Sequence, residues 1–421
     1  MDMVEFEGRR YLDGRASDPN ELHWMRGAPP PTDRRITFES DEFLDFPQLR
    51  WSLSHMRELV PTVNVWRGQG RPTLLDRGEN TGDIDALTFA DANGRVHRFD
   101  EALYETYTDG IVVLHRGRIV YERYFGALEA RLPHALHSVT KSYAGTLAAA
   151  LVHEGILDDA KALVQYLPEL RGSAFEDATL RQVMNMQTGL DYGEVYEDKG
   201  SSFWAHALAC GWRPRPAGYS GPRTLCDYVR TIRKKGEHGE FVDYKTVNTD
   251  ALAWVMSRVT GRSFEQLLHE RLWGPLGCEE DGYLFVDPAG TAMAGAGLSA
   301  TARDLARFGE LMRRQGEWNG KQLIPSSVIE GVQHGDAPSK FPPGVDAQGY
   351  AYRSQWWVTH DELDAFLGRG MHGQLLYIAP KVEMVVARLA SHPVAPSTGN
   401  IPITLPMMLK LGRTLSAFGC G

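Results

Sequence analysis

The sequence predicts an α+β fold in which one antiparallel sheet is assembled from strands near both ends of the chain. Three observations carry that prediction. DGIVVLHRGRIVYERYFG (109–126) reads as a hairpin, two runs rich in β-branched and aromatic residues flanking HRG, with glycine in the turn. QLLYIAP and VEMVVARLA (374–390) read as two further strands about a Pro-Lys turn. The segments between them have mostly helical patterning, and strands gathered at the ends argue against repeated β-α-β units.

In chain order, the first hundred residues are rich in Pro, Arg and Asp, and PPPTDRR (29–35) reads as extended chain. FPQLRWSLSHMRELVP (46–61) has the spacing of one amphipathic helix ended by Pro61. After the hairpin, a helix starts at Ser138 and ends near Gly155. TLRQVMNMQTGLDYG (179–193) predicts a short amphipathic helix running into a glycine turn, and residues 201–235 are irregular and aromatic. NTDALAWVMSRVTGRSFEQLLHERLW (248–273) predicts two helices, the first capped by Asn248 or Thr249. SATARDLARFGELMRRQ (299–315) predicts another, opened by Ser or Thr. A chain of 421 residues exceeds one ordinary domain. The expected division is an N-terminal extension (1–100) packing on the body, a sheet domain (101–145 with 285–421) and a mostly helical domain (146–284).

Composition narrows the function classes. Hydrophobic residues make up 43% and charged residues 24%, ordinary for a soluble globular protein. The net charge is −9 and the densest basic run is only RKK (233–235), so nucleic acid is a poor partner. No apolar run approaches the ~18 residues of a membrane span. The acidic N-terminus lacks the basic-then-apolar pattern of a signal peptide. The expectation is a cytoplasmic protein. Cys210, Cys226, Cys278 and Cys420 form neither a C-x-x-C pair nor zinc-like spacing with histidines, so free thiols and no metal or cofactor are expected.

LHSVTKSYAGT (136–146) carries the chemistry. Ser138 and Lys141 stand one turn apart at the mouth of a helix whose continuation, AGTLAAALV, is too apolar for a solvated surface. A serine hydroxyl needs a neighbouring base near neutral pH, and a buried lysine loses its proton more readily. Spacing alone also fits a helix-capping serine with a solvated lysine. A lysine at the positive end of the helix dipole is misplaced, however, unless it is wanted neutral.

SVTKSYAGTLAAALVHEGILDDAKALVQYLPEL resembles the S-x-x-K helix of the serine β-lactamase and penicillin-binding-protein superfamily. The nearest branch holds 6-aminohexanoate-dimer (nylon oligomer) hydrolases and class-C-β-lactamase-like carboxylesterases. Similarity extends from FPQLRW (46–51) to HPV (392–394), through MQTGLDYGEVYED, CGWRPR, NTDALAWV, SATARDLAR, SQWW and MHGQLLYIAP.

That resemblance implies a β-lactamase/transpeptidase-like fold with the site between its two domains, no cofactor, and a small-molecule amide or ester substrate; the related branch suggests a homodimer. Ser138 becomes the acylated nucleophile, Lys141 its proton acceptor and Tyr244, in EFVDYKTVNTD, the family's tyrosine, with Thr246 where asparagine often stands. MHGQ becomes the counterpart of K-T-G: Met371 in place of lysine, His372 a pocket wall, Gly373 against substrate, and the Gln374 N–H joining that of Ser138 as oxyanion donors. Tyr196 and Trp212 match aromatic residues that touch and cover an amide substrate. Ala207 and Gly295 fall where branch members carry polar residues that tune amide-dimer hydrolysis. The alternatives are a class-C-type β-lactamase or D-Ala-D-Ala peptidase, disfavoured by Met371 and Thr246, and an acyltransferase on the same fold.

Overall fold

The hairpin foreseen at 109–126 is the edge of a seven-stranded sheet in the computed structural model, which describes residues 2–78, 82–342, 347 and 349–417. Its strands are β1 (Thr108–His115), β2 (Arg118–Tyr124), β3 (Ala351–Arg353), β4 (Trp356–Val358), β5 (Phe366–Gly370), β6 (Gln374–Ala379) and β7 (Met384–Ala390). They lie in the order β3-β4-β5-β6-β7-β1-β2, every neighbouring pair antiparallel. Arg116 and Gly117 both take positive φ, 54° and 78°, as a two-residue hairpin turn requires. Strand β1 from one end of the chain pairs with β7 from the other, Val113 opposite Val386.

Helices α1 (Val139–His153), α2 (Val247–Thr260), α3 (Ala302–Arg313) and α4 (Ile401–Ala417) complete the frame. Alternation along β1 feeds two cores. Val112 and Leu114 join Leu305, Phe308 and Leu311 of α3. Ile111 and Val113 join Met407, Met408 and Leu411 of α4. The sheet is therefore covered on both faces.

Helix α1 is clamped by the SQWW motif. Ser142 Oγ donates to Gln355 O at 3.1 Å, and Trp356 Nε1 donates to Thr146 Oγ1 at 3.0 Å. Gly145 permits this approach, since a Cβ there would fall 1.9 Å from Ser354 O. A second, four-stranded sheet aligns Thr62–Val65, Gly282–Phe285, Leu298–Ala300 and His134–Ala135. Ser299 pairs with Ala135, and Leu136 N donates to Leu298 O at 2.8 Å. The segments carrying Ser138 and Gly295 thus leave adjacent strands side by side.

Three local expectations are corrected. Residues 201–235 are not irregular throughout but hold helices at Ser202–Cys210 and Leu225–Thr231. Residues 46–61 do not form one helix, but a single turn at Leu49–Ser52 and a 3₁₀ turn at Met56–Glu58. The hydroxyls of Ser52 and Ser54 donate to the carbonyls of Gln48 and Trp51, and His55 Nδ1 lies 2.9 Å from Trp51 O. Side chains thereby compete with the helical ladder. Helix α2 starts one residue before Asn248, so Asn248 and Thr249 lie inside it, and Thr246 stands at its N-cap. Cys210, Cys226 and Cys278 are free thiols; Cys420 lies outside the described residues.

Candidate active site

Ser138 stands at the N-terminus of α1 with helical backbone and makes no side-chain cap. The preceding residue, His137, has φ 45°, a costly value for a bulky side chain, where the chain turns into the helix. Lys141 is 1% exposed and its Nζ has three neighbours: Ser138 Oγ at 2.8 Å, Thr246 Oγ1 at 2.9 Å and Gly295 O at 2.7 Å. The capping-serine, solvated-lysine alternative is excluded on both counts.

That set of neighbours suits an amine that gains and loses a proton. Gly295 O can only accept. Thr246 Oγ1 donates to Glu194 Oε1 at 2.8 Å, so toward Lys141 it accepts. A neutral amine places its two N–H groups on these acceptors, and its lone pair takes the Ser138 O–H. An ammonium donates to all three. Neither state leaves a buried group unpaired, so proton transfer needs no rearrangement.

Burial pulls the Lys141 amine down to about 8, against the opposing pull of Glu194 and Asp250. Neither carboxylate is among its direct neighbours. Glu194 also accepts from Thr246 N at 2.7 Å and from the Tyr196 hydroxyl at 2.7 Å. Burial pushes the Asp250 carboxyl up; Gly295 N donates to it at 3.0 Å, fixing the loop whose carbonyl faces Lys141. Tyr244 shares a cavity with Ser138, and its ring centre lies 5.0 Å from Lys141 Nζ. Burial and the Glu194 charge raise its phenol, while a hydrogen bond with Ser138 works in the opposite sense.

The strand glycine beside Ser138 is Gly370, not Gly373. A Cβ on Gly370 would lie 2.6 Å from Leu136 O and 3.1 Å from Ser138 N. Gly373 instead faces Arg388 and Asn400, in a turn past the end of β5 where His372 and Gly373 take φ 60° and 92°. Gln374 begins β6, and its side chain staples Met371 O, Ala390 O and Ala390 N. Neither Gly373 nor Gln374 lines the Ser138 cavity, whereas Gly370 and Met371 do. Among the described residues, no acceptor takes the N–H of Ser138 or of Met371. Sequence pattern misplaced the register because three glycines, at 368, 370 and 373, offer three frames within six residues.

Two adjoining cavities serve the site. The one containing Ser138 and Tyr244 holds about 490 Å³ and is otherwise largely apolar, with Phe241, Phe341 and Trp357 in its wall. The second, about 500 Å³, contains Trp212 and His372. Tyr196, Met371 and Ala395 line both. Tyr196 therefore stands at the divide, and Trp212 and His372 lie beyond it. Burial lowers His372 to about 4, and its Nδ1 lies 2.7 Å from His392 O. Glu194 was not anticipated. It precedes Tyr196 by two residues in the same motif, but a loop has no period to show which side chains turn inward.

No group of His, Cys, Asp and Glu able to hold a metal ion occurs among the described residues, and no described helix is long and apolar enough to cross a membrane. Residues 101–401 match the Beta-lactamase family model, and the chain belongs to that family of hydrolases. Within it, the chain is 33% identical over 386 residues to the 6-aminohexanoate-dimer hydrolase of Paenarthrobacter ureafaciens, covering 90% of this chain and 94% of that one. A candidate 6-aminohexanoate-dimer hydrolase from Bacillus anthracis superposes with a TM-score of 0.83 at 32% identity, over 89% of this chain and 96% of its own. A family VIII carboxylesterase shares the fold, with a TM-score of 0.57 at 17% identity, over 75% and 96%.

Proposed function

We propose that the protein is a serine hydrolase that cleaves small amides or carboxylic esters through an acyl-enzyme, in the manner of a 6-aminohexanoate-oligomer hydrolase. The observation that carries this reading is the Lys141–Ser138 contact of 2.8 Å, with a buried amine whose direct partners are all uncharged. Neutral Lys141 accepts the Ser138 proton as Oγ attacks the carbonyl. The N–H groups of Ser138 and Met371 receive the oxyanion, Met371 replacing Gln374 once the strand glycine is Gly370. Tyr244, on the cavity side of the amine, passes a proton to the departing amine or alcohol. Water then releases the acyl group by the reverse relay. Glu194 reaches the lysine through Thr246 and holds the Tyr196 hydroxyl at the divide between the cavities.

The absence of lysine at both Met371 and Gly368, the lysine place in the corrected register, disfavours β-lactam and D-Ala-D-Ala substrates. Ser138→Ala abolishes hydrolysis of p-nitrophenyl acetate and of linear 6-aminohexanoate dimer while circular dichroism stays that of the parent. Activity retained by this variant rules the mechanism out. Nitrocefin is expected to remain uncut by the parent enzyme.

A further inference from the structure

We propose that Asp250 is a positioning residue for the general base, holding the Gly295 carbonyl on Lys141, and that His206 is the buried partner that steadies the Asp250 carboxylate. This rests on the acyl-enzyme reading above, with Lys141 as proton acceptor.

Helix α2 governs two of the three neighbours of the amine. Thr246, at its N-cap, meets Lys141 Nζ directly at 2.9 Å. Asp250 stands four residues on, on the same face. Its Oδ1 accepts from Gly295 N at 3.0 Å, and Gly295 O accepts from Lys141 Nζ at 2.7 Å. Gly295 is seated between the two side chains: a Cβ there would fall 2.5 Å from Thr246 Cγ2 and 3.0 Å from Asp250 Oδ2. The carbonyl that receives the amine is thus placed by a carboxylate that is not itself a neighbour of the amine.

The second carboxylate oxygen leads to His206. Asp250 Oδ2 and His206 Nε2 lie 3.3 Å apart, both residues are buried, and neither atom has a hydrogen-bond partner elsewhere. Buried polar groups are nearly always satisfied, so each is the other's partner. The ring is fixed on two further sides, stacked on Tyr228 at 4.8 Å and with Nδ1 3.2 Å from the Tyr192 hydroxyl. Burial lowers the imidazole to about 3, so it is neutral. With Nδ1 accepting from Tyr192, Nε2 carries the N–H that faces Asp250. The carboxylate therefore gains a donor without gaining a cation, and its charge acts on Lys141, whose proton it favours.

The other groups around this pair are neutral or already committed. Burial keeps His137 neutral and raises the Tyr192 and Tyr244 phenols and the Cys210 and Cys226 thiols. Asp287 accepts from the backbone of Leu225, Ala289 and Thr291. Glu194 accepts from Thr246 and Tyr196.

The test follows p-nitrophenyl acetate hydrolysis against pH. Asp250→Asn keeps an oxygen for Gly295 N and removes the charge, so the rising limb of kcat/KM is expected to move to lower pH by about one unit. Asp250→Ala releases Gly295. Its kcat on the alkaline plateau falls about 10²-fold below that of Asp250→Asn, the cost of misplacing a reacting group by about an ångström, with KM within about twofold of the parent's. His206→Leu deprives Oδ2 of its donor, keeps the carboxyl protonated to higher pH and moves the limb as Asp250→Asn does. His206→Gln, whose amide nitrogen can take the place of Nε2, restores the parent limb. A limb unmoved by Asp250→Asn, equal plateau kcat for Asp250→Asn and Asp250→Ala, or a His206→Gln limb that matches His206→Leu overturns the proposal. The Asn and Gln variants decide it if Asp250→Ala does not fold. Failure of the parent to form an acyl adduct on Ser138, read by mass spectrometry, instead overturns the acyl-enzyme reading on which it rests.

Discussion

Lys141 and Arg50 are both buried cations that join segments distant in sequence, and they are solvated in opposite ways. Arg50 meets a charge directly: Nη2 donates to Asp109 Oδ1 at 3.1 Å, while Nη1 reaches Gly14 O at 2.5 Å and Ser17 Oγ at 2.8 Å, and Nε reaches Ser391 Oγ at 3.1 Å. It thereby ties the N-terminal arm to β1 and to the residue following β7. Lys141 meets only neutral oxygens, and its nearest carboxylate contact runs through Thr246. A cation wanted permanently charged is given an anion; one wanted titratable is kept a hydroxyl away from it.

The same substitution at the two positions breaks this comparison most sharply. Lys141→Met costs about 10³-fold or more in kcat/KM, since the proton acceptor is gone. The folded amine holds its proton less tightly than the unfolded one. Below about pH 8 its burial therefore costs stability, and that cost fades as pH rises toward the ordinary lysine range. Lys141→Met accordingly raises the melting temperature at pH 7, by the equivalent of up to about 3 kcal/mol. Arg50→Met leaves Asp109 buried without its cation and lowers denaturant stability by about 3–5 kcal/mol. Equal signs for the two stability changes would refute the distinction.

Gly370→Ala tests the frame of the strand beside Ser138. The new methyl meets the backbone at Leu136 and Ser138, displaces the oxyanion pocket, and lowers kcat by about 10²-fold. Parent-like turnover would return the oxyanion role to Gln374. Glu194→Gln gives the smallest effect. Parent activity rises with pH as Lys141 deprotonates, through a midpoint near 8. Removing the Glu194 charge favours the neutral amine, so the rising limb of kcat/KM moves to lower pH. A limb that stays in place or moves upward contradicts the relay through Thr246.

How far the sequence could be read depends on how local each signal is. The 109–126 hairpin and the Ser138–Lys141 spacing are contained within one element, and both appear as expected. The helix expected at 46–61 failed because its serines and histidine find backbone carbonyls within four residues, a competition that apolar periodicity does not register. Glu194 and the frame of Gly370 depend on which backbone stretch passes a residue far away in sequence. Lys141 itself reaches Gly295, 154 positions on, and no spacing within α1 encodes that contact.

The pairing of β1 with β7 also has a consequence for biosynthesis. Met384 lies opposite His115, so β1 waits for roughly 270 further residues before its β7 partner is synthesised, about 15–50 s at ordinary elongation rates. During that interval the nascent chain already carries Ser138 and Lys141 but lacks the β5 edge that faces them. The nucleophile is thus made early and armed late, and a ribosome stalled between Lys141 and β5 releases a chain with the serine but not the catalyst.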